Sequence, residues 1–194
     1  MTFKEDQVNK LYSADCSKIQ NQTRFESEEH SVYGEMTQKG AEDFLRLFSS
    51  CFNDSTVFYD LGSGFGKLVC HVAINYPVKK ACGIELSKER CDWARKNSKN
   101  FKYERNSPKF KRSNFLEQDL SDATIVYADL TMYPHLMIEI AKKLPKGCIF
   151  VYRGGGAASG DRFFCLETTY SKNSKFDPKS AVHFWYQRAS WRII

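Results

Sequence analysis

A glycine-rich turn directly after a short apolar run is the feature that most constrains this chain. Residues 57–67 read VFYDLGSGFGK: the apolar run reaches Asp60, glycines follow at Gly62, Gly64 and Gly66, and a helix-like stretch begins. The glycines allow the backbone to approach a ligand closely, and an acid at a strand end can bind one of the ligand's polar groups. Similar turns occur in proteins that bind nothing, so the turn alone is weak evidence.

A second strand-like run strengthens the interpretation of this turn. Residues 81–85 (ACGIE) end in Glu85, which follows Asp60 by 25 residues. This separation suits a carboxylate that reaches ribose hydroxyls from the end of the second strand. The two acids and the turn between them predict a site for a nucleotide-type cofactor. The alternative is a structural turn with a surface glutamate.

The order of apolar runs predicts the fold class. Strand-like runs near residues 56–60, 80–85, 124–127 and 148–152 alternate with helical patterns near 65–76, 87–99 and 136–143. Such alternation predicts an α/β fold with a doubly wound, mostly parallel sheet. Two further runs, 162–170 and 181–188, have no helix between them and are expected to form an antiparallel edge hairpin. With a third-strand position after the charged connection, the sheet has seven strands, and ligands are expected at their carboxyl ends.

The length of 194 residues predicts one domain. Residues 1–30 are polar and lack clear periodicity, so they are expected to form an N-terminal arm with a short helix at most. Residues 31–194 are expected to form a single catalytic domain. Within it, Thr37 is predicted to cap a helix whose apolar face includes Ala41, Phe44 and Phe48.

Cysteine usage and hydropathy bear on the cellular compartment. The seven cysteines occur singly with no C-x-x-C pair, which is typical of reduced core cysteines and indicates no zinc framework, so no metal site is predicted. No signal peptide and no apolar stretch of about 18 residues is evident, so we expect a soluble intracellular protein. A monomer is favoured.

Charge is concentrated in one segment, which we call the basic segment. Residues 88–112 hold 10 basic and 3 acidic residues, net +7, whereas residues 1–60 are net −5. Interleaved aromatic residues make the basic segment a candidate for contact with a nucleic-acid backbone. The candidate contact residues are Lys99, Lys102, Lys109, Lys111 and Arg112. The alternative is the solvated face of a helix.

Several side chains are candidates for catalysis and for adenine binding. Asp129 follows the run 125–128 and could orient an acceptor amine, or simply cap a turn. Aromatic side chains could line a desolvating channel that favours a neutral amine, although each could equally be ordinary core. The aromatic candidates are Tyr33, Tyr127, Tyr133, Phe184 and Trp185. Asn114 and Phe115 could contact an adenine ring, or form a turn beside the core.

Four motifs together resemble a known family. Tyr33-Gly34-Glu35, the turn DLGSGFGK, the run GIEL and the run RSNFL are similar to those of the disruptor-of-telomeric-silencing family of non-SET histone lysine methyltransferases. The resemblance covers roughly residues 30–188. It implies a class I (Rossmann-like) methyltransferase fold with S-adenosylmethionine as the cofactor, whereas the glycine turn alone leaves NAD as the alternative. It also implies a lysine in the globular core of histone H3 as substrate, a nucleosome with its DNA backbone as partner, and a nuclear location, in a host nucleus if the source is viral, with the cytoplasm as the alternative.

The resemblance assigns roles to individual positions. The residues implied for the cofactor are Tyr33, Glu35, Thr37, Asp60, Gly62, Ser63, Gly64, Lys67, Glu85, Asn114 and Phe115, with Glu85 at the ribose and Asn114 and Phe115 at the adenine. The residues predicted for the catalytic pocket are Asp129, Tyr33, Tyr133 and Trp185, of which Tyr133 and Trp185 come from the aromatic-channel argument and not from the resemblance. The chain departs from the family pattern at three positions: Lys67 replaces a common Gln, Asn114 replaces the usual adenine-binding Asp, and Asp129 replaces a pocket Asn.

Three other functions remain open from the sequence. The chain could methylate a lysine of a non-histone protein, or an amino group of nucleic acid, although an Asp-Pro-Pro-aromatic motif is missing. It could also be a catalytically silent chromatin-binding module that keeps the fold.

Overall fold

The computed structural model describes residues 2–22, 34–129, 135–154, 162–167, 186–187 and 191–193. The helices are α1 (Phe3–Ser13), α2 (Ser17–Gln22), α3 (Gln38–Leu47), α4 (Lys67–Asn75), α5 (Lys88–Ser98) and α6 (Leu136–Lys143). The strands are β1 (Gly34–Met36), β2 (Val57–Leu61), β3 (Lys80–Glu85), β4 (Lys109–Arg112), β5 (Ile125–Asp129), β6 (Ile149–Gly154), β7 (Arg162–Glu167), β8 (Tyr186–Gln187) and β9 (Trp191–Ile193). Short 3-10 turns at Ser49–Cys51 and Phe115–Glu117 complete the described elements.

The main sheet has the strand order β4-β3-β2-β5-β6-β7-β8. The first five of these strands are parallel to one another, which confirms the predicted class I methyltransferase plan. β7 and β8 continue the sheet in antiparallel orientation. The residues between them lie outside the described part, so the predicted hairpin of residues 162–170 and 181–188 stays a prediction. Strand order reverses at the adjacent strands β2 and β5, and their carboxyl ends mark the place where such sheets bind ligands.

The central elements form as the apolar pattern predicts. All five residues of β2 are buried, as expected for a parallel strand that is covered on both faces. In α4, Val69, Val72 and Ala73 are buried, as are the other residues from Lys67 to Ile74. Thr37 caps α3 through a hydrogen bond from the Gly40 amide to its hydroxyl, at 3.2 Å, so the predicted cap is confirmed.

The prediction of a loosely structured N-terminal arm is wrong for residues 2–22. α1 begins with a capping box in which Thr2 and Glu5 satisfy each other's backbone amides. α1 contacts α3 and α4, and α2 contacts α5. Val8 and Leu11 enter the core. The remaining α1 side chains are mostly polar, which is why hydrophobic periodicity did not indicate the helix.

The charged connection after α5 contains an edge strand that the sequence did not predict clearly. β4 pairs in parallel with β3 and has only Phe110 buried. A strand with one apolar residue gives no alternating pattern, and lysines are common on sheet edges, where they oppose further strand pairing. A second small sheet joins β1 to β9 in antiparallel orientation, with Glu35 opposite Arg192.

Two apolar layers cover the sheet. One contains α1, α3 and α4 residues such as Leu11, Phe44 and Val69, and the other packs Ile140 and Leu144 against the opposite face. Five of the cysteines whose side chains are described are buried. No described helix is long and apolar enough to cross a membrane.

Candidate active site

The glycine turn after β2 is held by its own backbone. The amides of Gly62 and Ser63 both donate to the Ile84 carbonyl, at 2.8 and 3.1 Å, and the Gly66 amide donates to the Ser63 carbonyl at 2.8 Å. Gly66 has a positive φ of 71° where α4 begins, a conformation that costs glycine little. A Cβ on Gly66 would also lie 2.3 Å from the Phe110 ring. The turn is therefore tightly packed against the Phe110 ring.

Glu85 fastens the same turn from the end of β3. Its carboxylate accepts the Gly64 amide at 2.7 Å and the Ser87 amide at 2.8 Å. The Arg90 guanidinium lies 3.9 Å away. Each carboxylate oxygen has a second lone pair, so these bonds leave acceptor capacity for hydroxyl groups. The predicted ribose role stays a prediction, and the structure adds a role in shaping the turn.

Asp60 and Asp129 face a common cleft at the carboxyl ends of β2 and β5. Burial, together with the negative charges of Glu85 and Asp129, raises the pKa of Asp60 to about 8. A carboxyl held in this way gains most from a nearby cation, because a positive charge would stabilise its ionised form. The geometry therefore favours a positively charged ligand.

A buried ion pair forms another wall of this cleft. The Lys67 ammonium lies 3.0 Å from the Glu35 carboxylate and 3.1 Å from the Ala14 carbonyl. Both charged side chains are almost completely buried. Lys67 thus links the start of α4 to β1 and to the junction of α1 and α2.

The cleft has an empty volume of about 430 Å³, which includes its open mouth. Its walls combine acidic, hydroxyl, aromatic and apolar side chains. They are Tyr12, Glu35, Met36, Asp60, Gly62, Ser63, Lys67, Leu68, Tyr127 and Asp129. Six of the predicted site residues are therefore brought together here, and Tyr127 is among the aromatic candidates.

Asn114 and Phe115 lie at a different part of the same edge. Asn114 follows β4, and its side chain accepts the Leu116 amide at 3.0 Å, which is the turn-capping arrangement that the sequence left open. Phe115 packs against the apolar layer around α6. The Ser113 amide donates to the Glu85 carbonyl at 3.0 Å, so this turn lies next to the end of β3. Adenine binding by Asn114 and Phe115 stays a prediction.

Several other predicted residues lie elsewhere. Tyr33, Tyr133, Phe184 and Trp185 lie outside the described residues. Thr37 is used as the cap of α3. Lys99, Lys102, Lys109, Lys111 and Arg112 are all exposed, the last three on the edge strand β4 and none in the cleft wall.

The features of the cleft agree with a family comparison. A family model described as "Histone methylation protein DOT1" matches residues 12–138. The chain belongs to the DOT1 family. The match begins at the end of α1, within the segment that the sequence assigned to an arm, and it extends through β5 into α6.

A curated relative agrees with the DOT1 assignment. A "Protein-lysine N-methyltransferase" from Saccharolobus islandicus (strain REY15A) is 41% identical over 98 residues. The match covers 50% of this chain and 58% of that protein, so the chain spans less than two thirds of the relative.

Solved structures share the fold of this DOT1 member. An RNA methyltransferase from Salinibacter ruber, in complex with S-adenosyl-L-homocysteine, has a TM-score of 0.53 and 25% identity over 62% of this chain and 78% of its own. Geranyl diphosphate C-methyltransferase from Streptomyces coelicolor A3(2) has a TM-score of 0.51 and 18% identity over 60% and 44%. These names include very different substrates, so the shared fold does not identify the acceptor.

The DOT1 cleft contains residues that the sequence did not indicate. Tyr12 comes from α1, and Met36 and Leu68 are apolar neighbours of the ion pair. The sequence pattern Thr2-x-x-Glu5 before Val8 and Leu11 matches a capping box and could have indicated α1. No local pattern indicates that the end of α1 reaches the cleft.

Proposed function

We propose that this protein is an S-adenosylmethionine-dependent protein-lysine N-methyltransferase. The observation that carries the proposal is the cleft at the β2 and β5 strand ends, in which Asp60 and Asp129 face a glycine turn in a chain of the DOT1 family. The name of the archaeal relative supports protein lysine as the acceptor class.

The residues of the cleft fit such a cofactor. The Ser63 hydroxyl is buried and has no hydrogen-bond partner among the described residues, so it is available to a ligand. A Cβ on Gly62 would meet no atom within 4 Å, which leaves space above the turn. Asp60 and Glu35 offer acceptors for an ammonium group, and Glu85 offers acceptor capacity for ribose hydroxyls. When bound, the cofactor would supply an electrophilic methyl group on a sulfonium.

The acceptor side of the cleft has to deliver a neutral amine. A lysine with an ordinary pKa of about 10.4 loses its proton at neutral pH at a cost of about 4 to 5 kcal/mol. Apolar and aromatic walls such as Met36 and Tyr127 lower that cost by disfavouring the ammonium. Asp129 would accept a hydrogen bond from the amine and so direct the lone pair of the amine nitrogen at the methyl group. Positioning of this kind supplies much of the rate.

Within this proposal, a lysine in the globular core of a nucleosomal histone is the first substrate, because of the DOT1 membership. The protein would then act in a nucleus. A lysine of a non-histone protein is the second candidate, because the relative from an archaeon is named only for protein lysine. Exposed cations on the edge strand β4 support contact with a DNA backbone in the first case.

The test is methyl transfer with an isotope-labelled methyl group. Wild-type protein and an Asp129→Ala variant are incubated with nucleosomes, free histone octamers, a lysine-rich non-histone protein and RNA, and the label is located by mass spectrometry. We expect label on lysine side chains and at least about a tenfold loss in the variant. Label on RNA alone, or none on any acceptor, would refute the proposal. Label on a histone only within nucleosomes would select the first substrate.

A further inference from the structure

The end of α1 is attached to α4 by two polar contacts one helical turn apart. Lys67 and His71 are four residues apart on α4, so their side chains lie on the same face. Lys67 donates to the Ala14 carbonyl, and His71 Nδ1 lies 3.2 Å from the Tyr12 hydroxyl. The two rings meet edge to face with centroids 5.5 Å apart. Tyr12 is therefore held in one orientation in the cleft wall.

The glycine turn offers a ligand few main-chain donors. The amides of Gly62 and Ser63 are used by the Ile84 carbonyl, and the Gly64 amide is used by Glu85. Glu35 and Asp129 bring negative charge to the same cleft, Asp60 is largely protonated at neutral pH, and the Lys67 ammonium in the wall is paired with Glu35. A ligand carboxylate placed here therefore needs hydrogen-bond donors from side chains, because the turn does not supply them and the nearby acids repel it.

Tyr12 is suited to be such a donor. Burial raises its pKa well above the usual value, and the neighbouring Glu35 raises it further, so the hydroxyl keeps its proton. Burial lowers the pKa of His71 to about 4, so the imidazole is neutral at physiological pH. The proposal assigns the single imidazole proton to Nδ1. In that tautomer His71 donates to the Tyr12 oxygen, and the Tyr12 proton is free to point towards a ligand.

We propose that the Tyr12 hydroxyl binds the carboxylate of an amino-acid-type ligand in this cleft, and that His71 is a positioning residue that orients it. The inference rests on the proposed function, in which that ligand is the methionine end of S-adenosylmethionine. It adds α1 to the site and gives Tyr12 a binding role that the sequence did not indicate.

A ligand series tests this assignment. Binding of S-adenosylmethionine, decarboxylated S-adenosylmethionine and 5′-methylthioadenosine is measured by calorimetry for wild type and Tyr12→Phe. The first ligand has both amino and carboxyl groups, the second lacks the carboxyl group, and the third lacks both. We expect Tyr12→Phe to weaken the first about 10- to 50-fold, as for loss of a bond to a charged group, and to leave the other two unchanged.

Tyr103→Phe is the matched control. Tyr103 is another partly buried tyrosine whose hydroxyl donates to the Ser98 carbonyl, and it does not line the cleft. We expect all three ligands to bind this variant as they bind wild type. Thermal unfolding of each variant, measured in parallel, shows whether a loss of binding is a loss of folding.

His71 is tested by a double-mutant cycle. If it acts through Tyr12, His71→Leu weakens S-adenosylmethionine binding in the wild type but adds no further loss in Tyr12→Phe.

Three results would overturn the inference. They are unchanged S-adenosylmethionine binding in Tyr12→Phe, an equal loss for all three ligands, and a loss shared by the decarboxylated ligand, which would place the hydroxyl at the amino group. Failure of wild type to bind S-adenosylmethionine would instead refute the proposed function.

Discussion

At the scale of single residues, the position of Asp60 changes its acid–base behaviour. It is the next-to-last residue of a fully buried strand and faces the cleft together with Asp129. Burial and the negative charges of Glu85 and Asp129 raise its pKa to about 8. The ligand-free protein therefore keeps Asp60 largely protonated at neutral pH, and a cationic ligand would stabilise its ionised form.

Asp60→Asn should stabilise the ligand-free protein in a pH-dependent way. The folded state keeps the Asp60 proton up to about pH 8, whereas the unfolded chain releases it near pH 4. The contribution of Asp60 to the free energy of unfolding therefore falls as pH rises from 4 to 8 and is constant above. Asparagine lacks this penalty, so we expect a gain of at least about 1 kcal/mol at pH 8.5 and little gain at pH 4.5.

Denaturant unfolding at the two pH values measures this difference. Asp54→Asn is the control, because Asp54 is exposed and should show no pH-dependent gain. A gain of equal size at both pH values would show that the penalty of Asp60 is not due to its ionisation.

At the scale of elements, β3 and the glycine turn are packed against each other without spare room. A Cβ on Gly83, in the middle of β3, would lie 2.5 Å from the Ser63 hydroxyl and 2.8 Å from the Phe110 ring. The turn, the strand and the edge strand β4 therefore form one packed unit. Because Gly83 has no side chain, the Ser63 side chain has room next to β3.

Gly83→Ala should damage both stability and binding. The added methyl group has to displace Ser63 or Phe110, which we expect to cost about 1 to 3 kcal/mol and to disturb the turn that contacts the ligand. Gly147→Ala is a matched control: Gly147 has open space around it but a positive φ of 81°, so alanine there costs stability away from the cleft.

Unfolding and S-adenosylmethionine binding are measured for both variants. We expect both to lose stability and only Gly83→Ala to bind more weakly. Equal binding by the two variants would show that the packing under the turn does not control the site.

Elements with strong local patterns could be predicted from the sequence, and those stabilised mainly by tertiary contacts could not. α4 and β2 carry continuous apolar patterns, and their bounds were predicted closely. β4 has one buried residue, so a strand was expected in the charged connection but its bounds were not predicted. α1 has a weak apolar face and was not predicted. The Lys67–Glu35 pair joins residues that are 32 positions apart, and no spacing rule predicts such a contact.

At the scale of the whole molecule, charge is separated between the cleft and the sheet edge. The cleft collects Glu35, Asp60 and Asp129, whereas β4 exposes Lys109, Lys111 and Arg112. Nine of the ten basic side chains of the basic segment are exposed, and only Arg90 is buried. Arg95 and Arg105 also donate to the Phe110 and Asp54 carbonyls, but these bonds leave their charge exposed. A partner could therefore reach most of the charge of this segment.

Reversal of exposed cations tests whether this edge contacts DNA. Lys99, Lys109 and Arg112 are exposed, and a triple change to Glu should reduce the slope of log affinity against log salt for nucleosomes by about 1 per lost phosphate contact. The control reverses Lys10, Lys142 and Lys146, which are exposed elsewhere. An unchanged slope in the first variant, or an equal reduction in both, would show that this sheet edge does not contact DNA.

The central claim is that the cleft at the β2 and β5 strand ends binds S-adenosylmethionine, and calorimetric titration tests it most directly. We predict saturable binding to wild type, unchanged binding to the exposed-site control Glu104→Ala, and a loss of about 1.5 to 3 kcal/mol in Glu85→Ala, which removes a charged acceptor. Absence of binding to wild type, or equal affinity of a folded Glu85→Ala variant, would contradict the account.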